Sequence, residues 1–351
     1  MRDYDYTKTW EKLLTPDIVA LITQINEFKG KQNLFINQEK DTLNHLLDIA
    51  IIQSTESSNK IEGIRTTNQR LKQLVQEKTN PQNRDEEEIA GYRDVLTTIH
   101  ENYEFISIKP SFILQLHRDL YKYSGFDIGG KYKTSDNVIS EKDVNGNEYV
   151  RFTPTEAWET SESIDNLCIA YNKIINDKKS NNLIISFMFI LDFLCIHPFN
   201  DGNGRMSRLL TLLLLYRNDF NIGKYISIER IIEKTKVTYY ETLEKSSYNW
   251  HDNTNDYEPF VKYMLGVIIS AYREFEQRTH ILNNKTKKPD RVAETIKNTL
   301  GKITKSEILE LCPDISEATV RRALKDLIDN NDIIKLGGGR YTYYVWNGEK
   351  E

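Results

Sequence analysis

His197-Pro198-Phe199-Asn200-Asp201-Gly202-Asn203-Gly204-Arg205-Met206-Ser207-Arg208 lies between two strongly apolar segments, and its twelve residues combine a titratable imidazole, a carboxylate, a glycine-lined turn and two guanidinium groups. Gly202 and Gly204 flank Asn203, so the backbone can turn tightly and aim several N–H groups into one concavity, a geometry that binds anionic oxygens. From Gly204 to Tyr216 the pattern predicts a helix, on whose first turn Arg205 and Arg208 are neighbours three residues apart. The helix N-terminus adds unpaired donors and partial positive charge, so backbone, dipole and both arginines are expected to converge on one polyphosphate. Asp201 stands beside that nest, and a single carboxylate with phosphate oxygens suffices for Mg²⁺. His197 can accept a proton from a hydroxyl nucleophile. A lone histidine before proline, or a lone Gly-x-Gly, is commonly only a packing residue or a turn, and it is the conjunction that points to chemistry. The stretch lacks the Gly-Lys-Ser/Thr ending of a P-loop, and Ser207 occupies the third-glycine position of a dinucleotide fingerprint.

The same stretch resembles the signature of the Fic (filamentation induced by cAMP) proteins: histidine, any residue or proline, phenylalanine, any residue, an acidic residue, Gly-Asn-Gly-Arg, two residues, arginine. Every defining position is matched. The resemblance implies a protein adenylyltransferase that moves AMP from ATP to a Ser, Thr or Tyr hydroxyl of a target protein and releases pyrophosphate. On that reading His197 is the catalytic base and Asp201 the Mg²⁺ ligand. Gly202, Asn203 and Gly204 form the phosphate nest, Arg205 and Arg208 clamp phosphate, and Phe199 anchors the loop. A phosphate-transferring branch of the superfamily has lysine at the second glycine, so Gly204 favours nucleotidyl transfer.

Composition fits an ordinary globular enzyme. Charged residues make up 28% and hydrophobic residues 39% of 351 residues, enough for two or three domains. A net charge of −5 argues against bulk binding to nucleic acid or an anionic membrane. No signal-peptide pattern is visible beside Asp3 and Asp5, and the longest apolar run, Leu183 to Ile196, is interrupted by Ser186 and Asp192 and too short to span a bilayer. Cys168, Cys195 and Cys312 are few and far apart, which suggests neither a disulfide framework nor a zinc site and fits a reducing cytoplasm.

Helical periodicity dominates, and the expected fold is mainly α, a Fic-type helical bundle with a β-hairpin flap and a small C-terminal winged-helix-like domain. Thr15-Pro16 opens a helix that Gly30 is expected to stop, and a second, with Leu43, Leu46, Leu47 and Ala50 on one face, runs to a cap at Gly63. Further helices are expected over 86–103, 109–123, 154–176, 183–196, 205–216 and 257–282. Val144-Asn145-Gly146-Asn147 predicts a hairpin turn between Val138-Ile139 and Tyr149 to Phe152. Fic proteins place such a flap over the active site, so a target segment is expected to dock along residues 131–152. The lone histidines His45, His100, His117, His251 and His280 read as structural or solvated.

Domain limits are expected at 1–108 for an N-terminal helical region, 109–282 for the Fic core, 283–290 for a polar linker and 291–351 for the terminal module. In that module Thr304 with Glu307 forms a capping box, Val320, Ala323, Leu324, Leu327 and Ile328 mark a helix, and a hairpin follows with Ile333, Ile334 and Leu336 in one strand and Tyr341, Tyr343 and Val345 in the other. Its shape suggests DNA binding, yet Arg321, Arg322 and Lys325 are offset by Glu317, Asp326 and Asp329, which favours a protein-docking or dimerisation role over DNA. A DNA-binding regulator using the core as a nucleotide sensor is the alternative function.

Ser58-Asn59-Lys60-Ile61-Glu62-Gly63 also matches the Fic inhibitory motif, a serine or threonine, three residues, glutamate, then glycine or asparagine. That resemblance implies a built-in inhibitory helix whose Glu62 pairs with Arg208 and takes the guanidinium that the γ-phosphate needs. It leaves open removal of AMP from targets, self-modification and a homodimer.

Overall fold

The computed structural model describes residues 2–36, 40–125, 127–142, 146–177, 180–283, 288–297, 299, 301–312 and 315–347. It is mainly helical, with two small antiparallel sheets. The backbone groups into two units, residues 1–38 with 46–272, and 39–45 with 273–351.

At the centre of the first unit lie two helices, Asn182–Ile196 and Asn203–Arg217, packed on each other. Each is buried nearly all round, and the first is apolar along almost its whole length, the pattern of a core helix. Phe187, Phe189 and Phe193 on the first and Leu210, Leu212 and Leu214 on the second are completely buried. At about 1.5–3 kcal/mol for each large side chain, this pair forms a rigid floor for the six residues between them. Asn181 starts the first helix by accepting from the Ile184 N–H. His197 ends it in the left-handed region, at φ 50° and ψ 62°. The helices Thr160–Ile175 and Lys236–Ser247 pack on the first of the pair, and Arg84–Asn102 packs on the second.

Helices Pro16–Ile36 and Lys40–Ile61 cover the N-terminal region. Gly30 does not stop the first of these. It faces open space inside the helix, a placement that costs about 1 kcal/mol relative to alanine, and buried Phe28 and Gln32 on either side keep the helix in place. The second ends as expected, with Gly63 just beyond it at φ 85°. The segment expected to be helical from Pro154 begins with a 3-10 turn, Ala157–Glu159, and becomes α-helical only at Thr160. Four short helices, Tyr6–Lys12, Asn68–Val75, Ile228–Lys234 and Lys236–Ser247, were not foreseen from periodicity.

The hairpin pairs Ile139–Lys142 with Glu148–Phe152, with Ser140 opposite Val150 and Glu141 opposite Tyr149. Gly146 has the positive φ its turn requires, whereas Val144 and Asn145 lie outside the described residues. Phe152 stacks on His251, and the Arg151 guanidinium donates to the Tyr240 carbonyl at 3.5 Å, which seats the strand against Lys236–Ser247.

In the second unit, helices Lys288–Lys297, Lys305–Leu311 and Glu317–Asp329 enclose a core of Val292, Ile296, Ile308, Val320, Leu324, Ile333 and Tyr344. The foreseen Thr304–Glu307 capping box is present. Tyr343–Trp346 forms the middle strand, between Ile333–Leu336 and the additional strand Ile303–Thr304. Tyr341 falls outside the strand because Gly339–Tyr341 coils into a 3-10 turn. Half of the expected linker, residues 284–287, lies outside the described residues, and its other residues are helical, Asn283 ending one helix and Lys288 opening the next. On the outward helix Glu317 pairs with both Arg321 and Lys305, each at 2.7 Å. Among the described residues no helix is long and apolar enough to cross a membrane.

Candidate active site

The loop from His197 to Gly202 is fastened from within. Phe199 donates its N–H to the Asn203 Oδ1 at 2.9 Å, and the Asn203 amide donates back to the Phe199 carbonyl at 2.7 Å. The Asn203 side chain is therefore spent on the loop, which leaves its backbone for the nest. Phe199 is fully buried and stacks face to face on His117, with ring centres 3.6 Å apart. His117 in turn accepts the Gly130 N–H at Nδ1, at 3.0 Å, so its Nε2–H donates to the Asp201 carbonyl at 3.1 Å. Burial pushes this imidazole down to about 4, which keeps the neutral tautomer those two bonds need. Read from sequence as a structural or solvated histidine, His117 carries the floor of the active loop.

Gly202 is the N-cap of the second central helix at φ 83°, and a Cβ there would crowd the Tyr121 hydroxyl. Asp201 is half-exposed beside it and accepts the Gly202 N–H at 2.7 Å. Its other oxygen stands 3.6 Å from Arg205.

Arg205 and Arg208 are turned to different carboxylates. Each guanidinium is almost fully buried, and a buried charge requires a counter-charge. Arg205 pairs with Glu88 of the helix Arg84–Asn102 at 2.6 Å and donates to the Tyr121 hydroxyl at 2.7 Å. Arg208 donates to Ser58 Oγ at 2.8 Å, to the Ser58 carbonyl at 2.9 Å and to Glu62 at 2.7 Å. The sequence expectation that both clamps face one anion thus gives way, in this arrangement, to two separate ion pairs.

Glu62 lies directly over the nest. A Cβ added to Gly204 would collide with its Oε1, so the carboxylate occupies the space that the absent side chain leaves at the helix N-terminus. Burial works to raise the pKa of this carboxyl, but Arg208, Arg205 and Lys236 outweigh it and hold the group below the ordinary glutamate value. Ser54, Ser57 and Lys60 bind the same helix to Glu229 and Glu233, at 2.7, 2.8 and 2.7 Å. Lys236 caps its end by donating to the Ile61 carbonyl at 2.6 Å.

His197 faces a cavity of about 210 Å³ lined also by Glu62, Gly204, Arg208, Arg151, Tyr239 and Tyr240. Burial pushes the imidazole down to about 4, with Lys133 acting in the same sense. The ring is neutral at pH 7, the form that can accept a proton. Tyr239 and Tyr240 belong to a helix too weakly amphipathic for its periodicity to stand out. Glu88, Tyr121 and Lys133, like His117, reach the site from elements far away in sequence. Among the described residues no cluster of three or more metal-type ligands occurs.

This arrangement, a concave turn at a buried helix N-terminus with an imidazole before it and two arginines after it, is the one that the sequence resemblance to Fic proteins implies. Residues 107–215 match the Fic/DOC family. A probable protein adenylyltransferase of Aquifex aeolicus (strain VF5) is 25% identical over 186 residues, covering 48% of this chain and 54% of the relative. A Fido domain-containing protein of Dictyostelium discoideum is 35% identical over 95 residues, covering 27% and 64%. The chain therefore spans between half and two thirds of the length of these curated relatives. In fold it is similar to a Fic family protein from Desulfovibrio desulfuricans G20, at a TM-score of 0.62, 21% identity and coverage of 96% of this chain and 98% of that one. A Fic domain containing signaling protein from Bacteroides thetaiotaomicron VPI-5482 gives a TM-score of 0.59 at 22% identity, over 74% and 94%.

Proposed function

We propose that the domain transfers AMP from ATP to a hydroxyl of a target protein, and that Glu62 keeps it silent until displaced. One observation carries this reading: a carboxylate from a separate helix sits on Arg208 and over Gly204, where a terminal phosphate would bind. Neutral His197 accepts the proton of the incoming hydroxyl. Its oxygen forms a bond to the α-phosphorus as the bond from that phosphorus to the β-bridging oxygen breaks, and pyrophosphate leaves with the electron pair. Backbone donors at the helix N-terminus, with Arg205 and a released Arg208, stabilise the charge that develops on the phosphates. The half-exposed Asp201 carboxylate beside the nest fits Mg²⁺, which would neutralise phosphate charge there. A second anionic group cannot share Arg208 with Glu62 without repulsion, so ATP bound over the latched state would be bent away from in-line geometry.

The reading is tested with ATP labelled on the α-phosphate, incubated with the Glu62→Gly protein and a cell extract. Covalent label on protein is expected, and His197→Ala in the same background should abolish it while leaving most ATP binding intact. Transfer at near-normal rate without the imidazole would remove His197 from the role of base.

A further inference from the structure

Lys133 follows the loop that leaves Gly130 and sits at the root of the flap, 3% exposed. Its backbone N–H donates to the Pro198 carbonyl at 2.9 Å. Its Nζ donates to the Ile196 carbonyl at 3.2 Å and to Asn137 Oδ1 at 3.0 Å. The carbonyls immediately before and after His197 are thus both held by one residue, through its main chain on one side and its ammonium on the other. Such a grip is needed there. His197 lies at φ 50°, a conformation costing an L residue with a Cβ about 1–2 kcal/mol. A helix C-terminus also leaves its last carbonyls without intrahelical donors, and Lys133 supplies one to Ile196.

We propose that Lys133 is a positioning residue for His197, whose side-chain ammonium fixes the left-handed peptide that aims the imidazole into the cavity. The inference rests on the reading of His197 as the base. A lysine reaching a helix end is commonly only a cap, but here it clasps both sides of a single strained residue and takes its third partner, Asn137, from the flap root. Charge adds to geometry. The ammonium opposes protonation of His197, together with burial and Arg151, whereas the Leu194 carbonyl and Glu62 favour it. Burial itself lowers the Lys133 amine to about 8, which leaves it charged at pH 7 and open to titration just above.

The test uses the full chain carrying Glu62→Gly, with Lys133→Met, Lys133→Arg and Asn137→Ala added singly. Methionine keeps the stem and the backbone bond to Pro198 but removes the ammonium. Transfer of α-labelled AMP is followed for kcat and for KM of ATP, and the His197 imidazole is titrated by NMR without nucleotide. For Lys133→Met, kcat should fall about tenfold or more with KM for ATP little changed. The His197 midpoint should rise relative to the Glu62→Gly parent, because an opposing charge is gone. Lys133→Arg should restore most of the rate, and Asn137→Ala, which leaves the lysine in place but unaimed, should fall between. An unchanged kcat together with an unchanged His197 midpoint in Lys133→Met would overturn the proposal, as would equal loss in the methionine and arginine variants. If the Glu62→Gly parent transfers no AMP, the proposed reaction fails, and the imidazole titration still decides whether Lys133 governs His197.

Discussion

Replacing Glu62 by glycine removes one charge-assisted hydrogen bond to a buried guanidinium, and the size of the expected effect follows from that bond. Such bonds contribute about 1.5–3 kcal/mol, and the Glu62 side chain is 33% exposed, so solvent screening favours the lower part of the range. If the latched and open arrangements differ by that amount, its loss raises the population able to hold a γ-phosphate on Arg208 by about tenfold to fortyfold. Arg208 keeps both bonds to Ser58, so the helix remains docked and the change falls on the clamp. Self-labelling and target labelling from α-labelled ATP, measured at matched ATP and Mg²⁺, should rise by that factor. ATP should also raise the melting temperature more in Glu62→Gly than in the parent, because a phosphate replaces the missing anion. Arg208→Ala should not mimic the gain, since it removes clamp and latch together. Equal labelling by parent and Glu62→Gly would refute the reasoning.

Asp201→Ala should weaken Mg²⁺-dependent ATP binding, seen as a higher Mg²⁺ requirement in a titration of activity, while transfer at saturating metal falls less than in a His197 variant. His100 is 9% exposed and its imidazole is pushed from 6.5 down to about 3 by burial, with Lys224 acting in the same direction. The unfolded chain therefore takes up a proton that the folded one refuses, and stability that is complete above pH 6.5 declines as the pH falls toward that lower value. His100→Phe should flatten the acid side of a melting-temperature profile, an effect on the order of 3 kcal/mol by about pH 4. For the C-terminal unit, the pairing of Glu317 with Arg321 and Lys305 predicts duplex DNA affinity with little salt dependence and no gain over random sequence in a gel shift.

The twelve residues from His197 to Arg208 made the candidate loop legible because a glycine-lined turn, a helix start and two cations are all written within one local stretch. The helix ending at Gly63 was legible for the same reason, through its cap and motif. What surrounds the loop was not. Glu88, His117, Tyr121 and Lys133 meet it only through tertiary packing, as in the His117 contact with Asp201 across 84 positions of sequence. A buried ion pair such as Arg205 with Glu88 leaves no periodic trace. Gly30 misled because its intrinsic penalty is smaller than the packing that holds its helix together. The helix Lys236–Ser247, which supplies Tyr239 and Tyr240, was missed because its few apolar residues do not gather on one face, so it carries almost no helical periodicity.

The left-handed backbone at His197 determines which inactive version of this protein can be trusted. Alanine tolerates positive φ poorly, so a dead His197→Ala protein mixes the loss of an imidazole with a loop that pulls toward another backbone angle. Asparagine visits that region readily, because its short polar side chain can bond locally. An asparagine at this position would preserve the loop's shape while offering no base, which makes it the cleaner bait for capturing partners that recognise the resting surface.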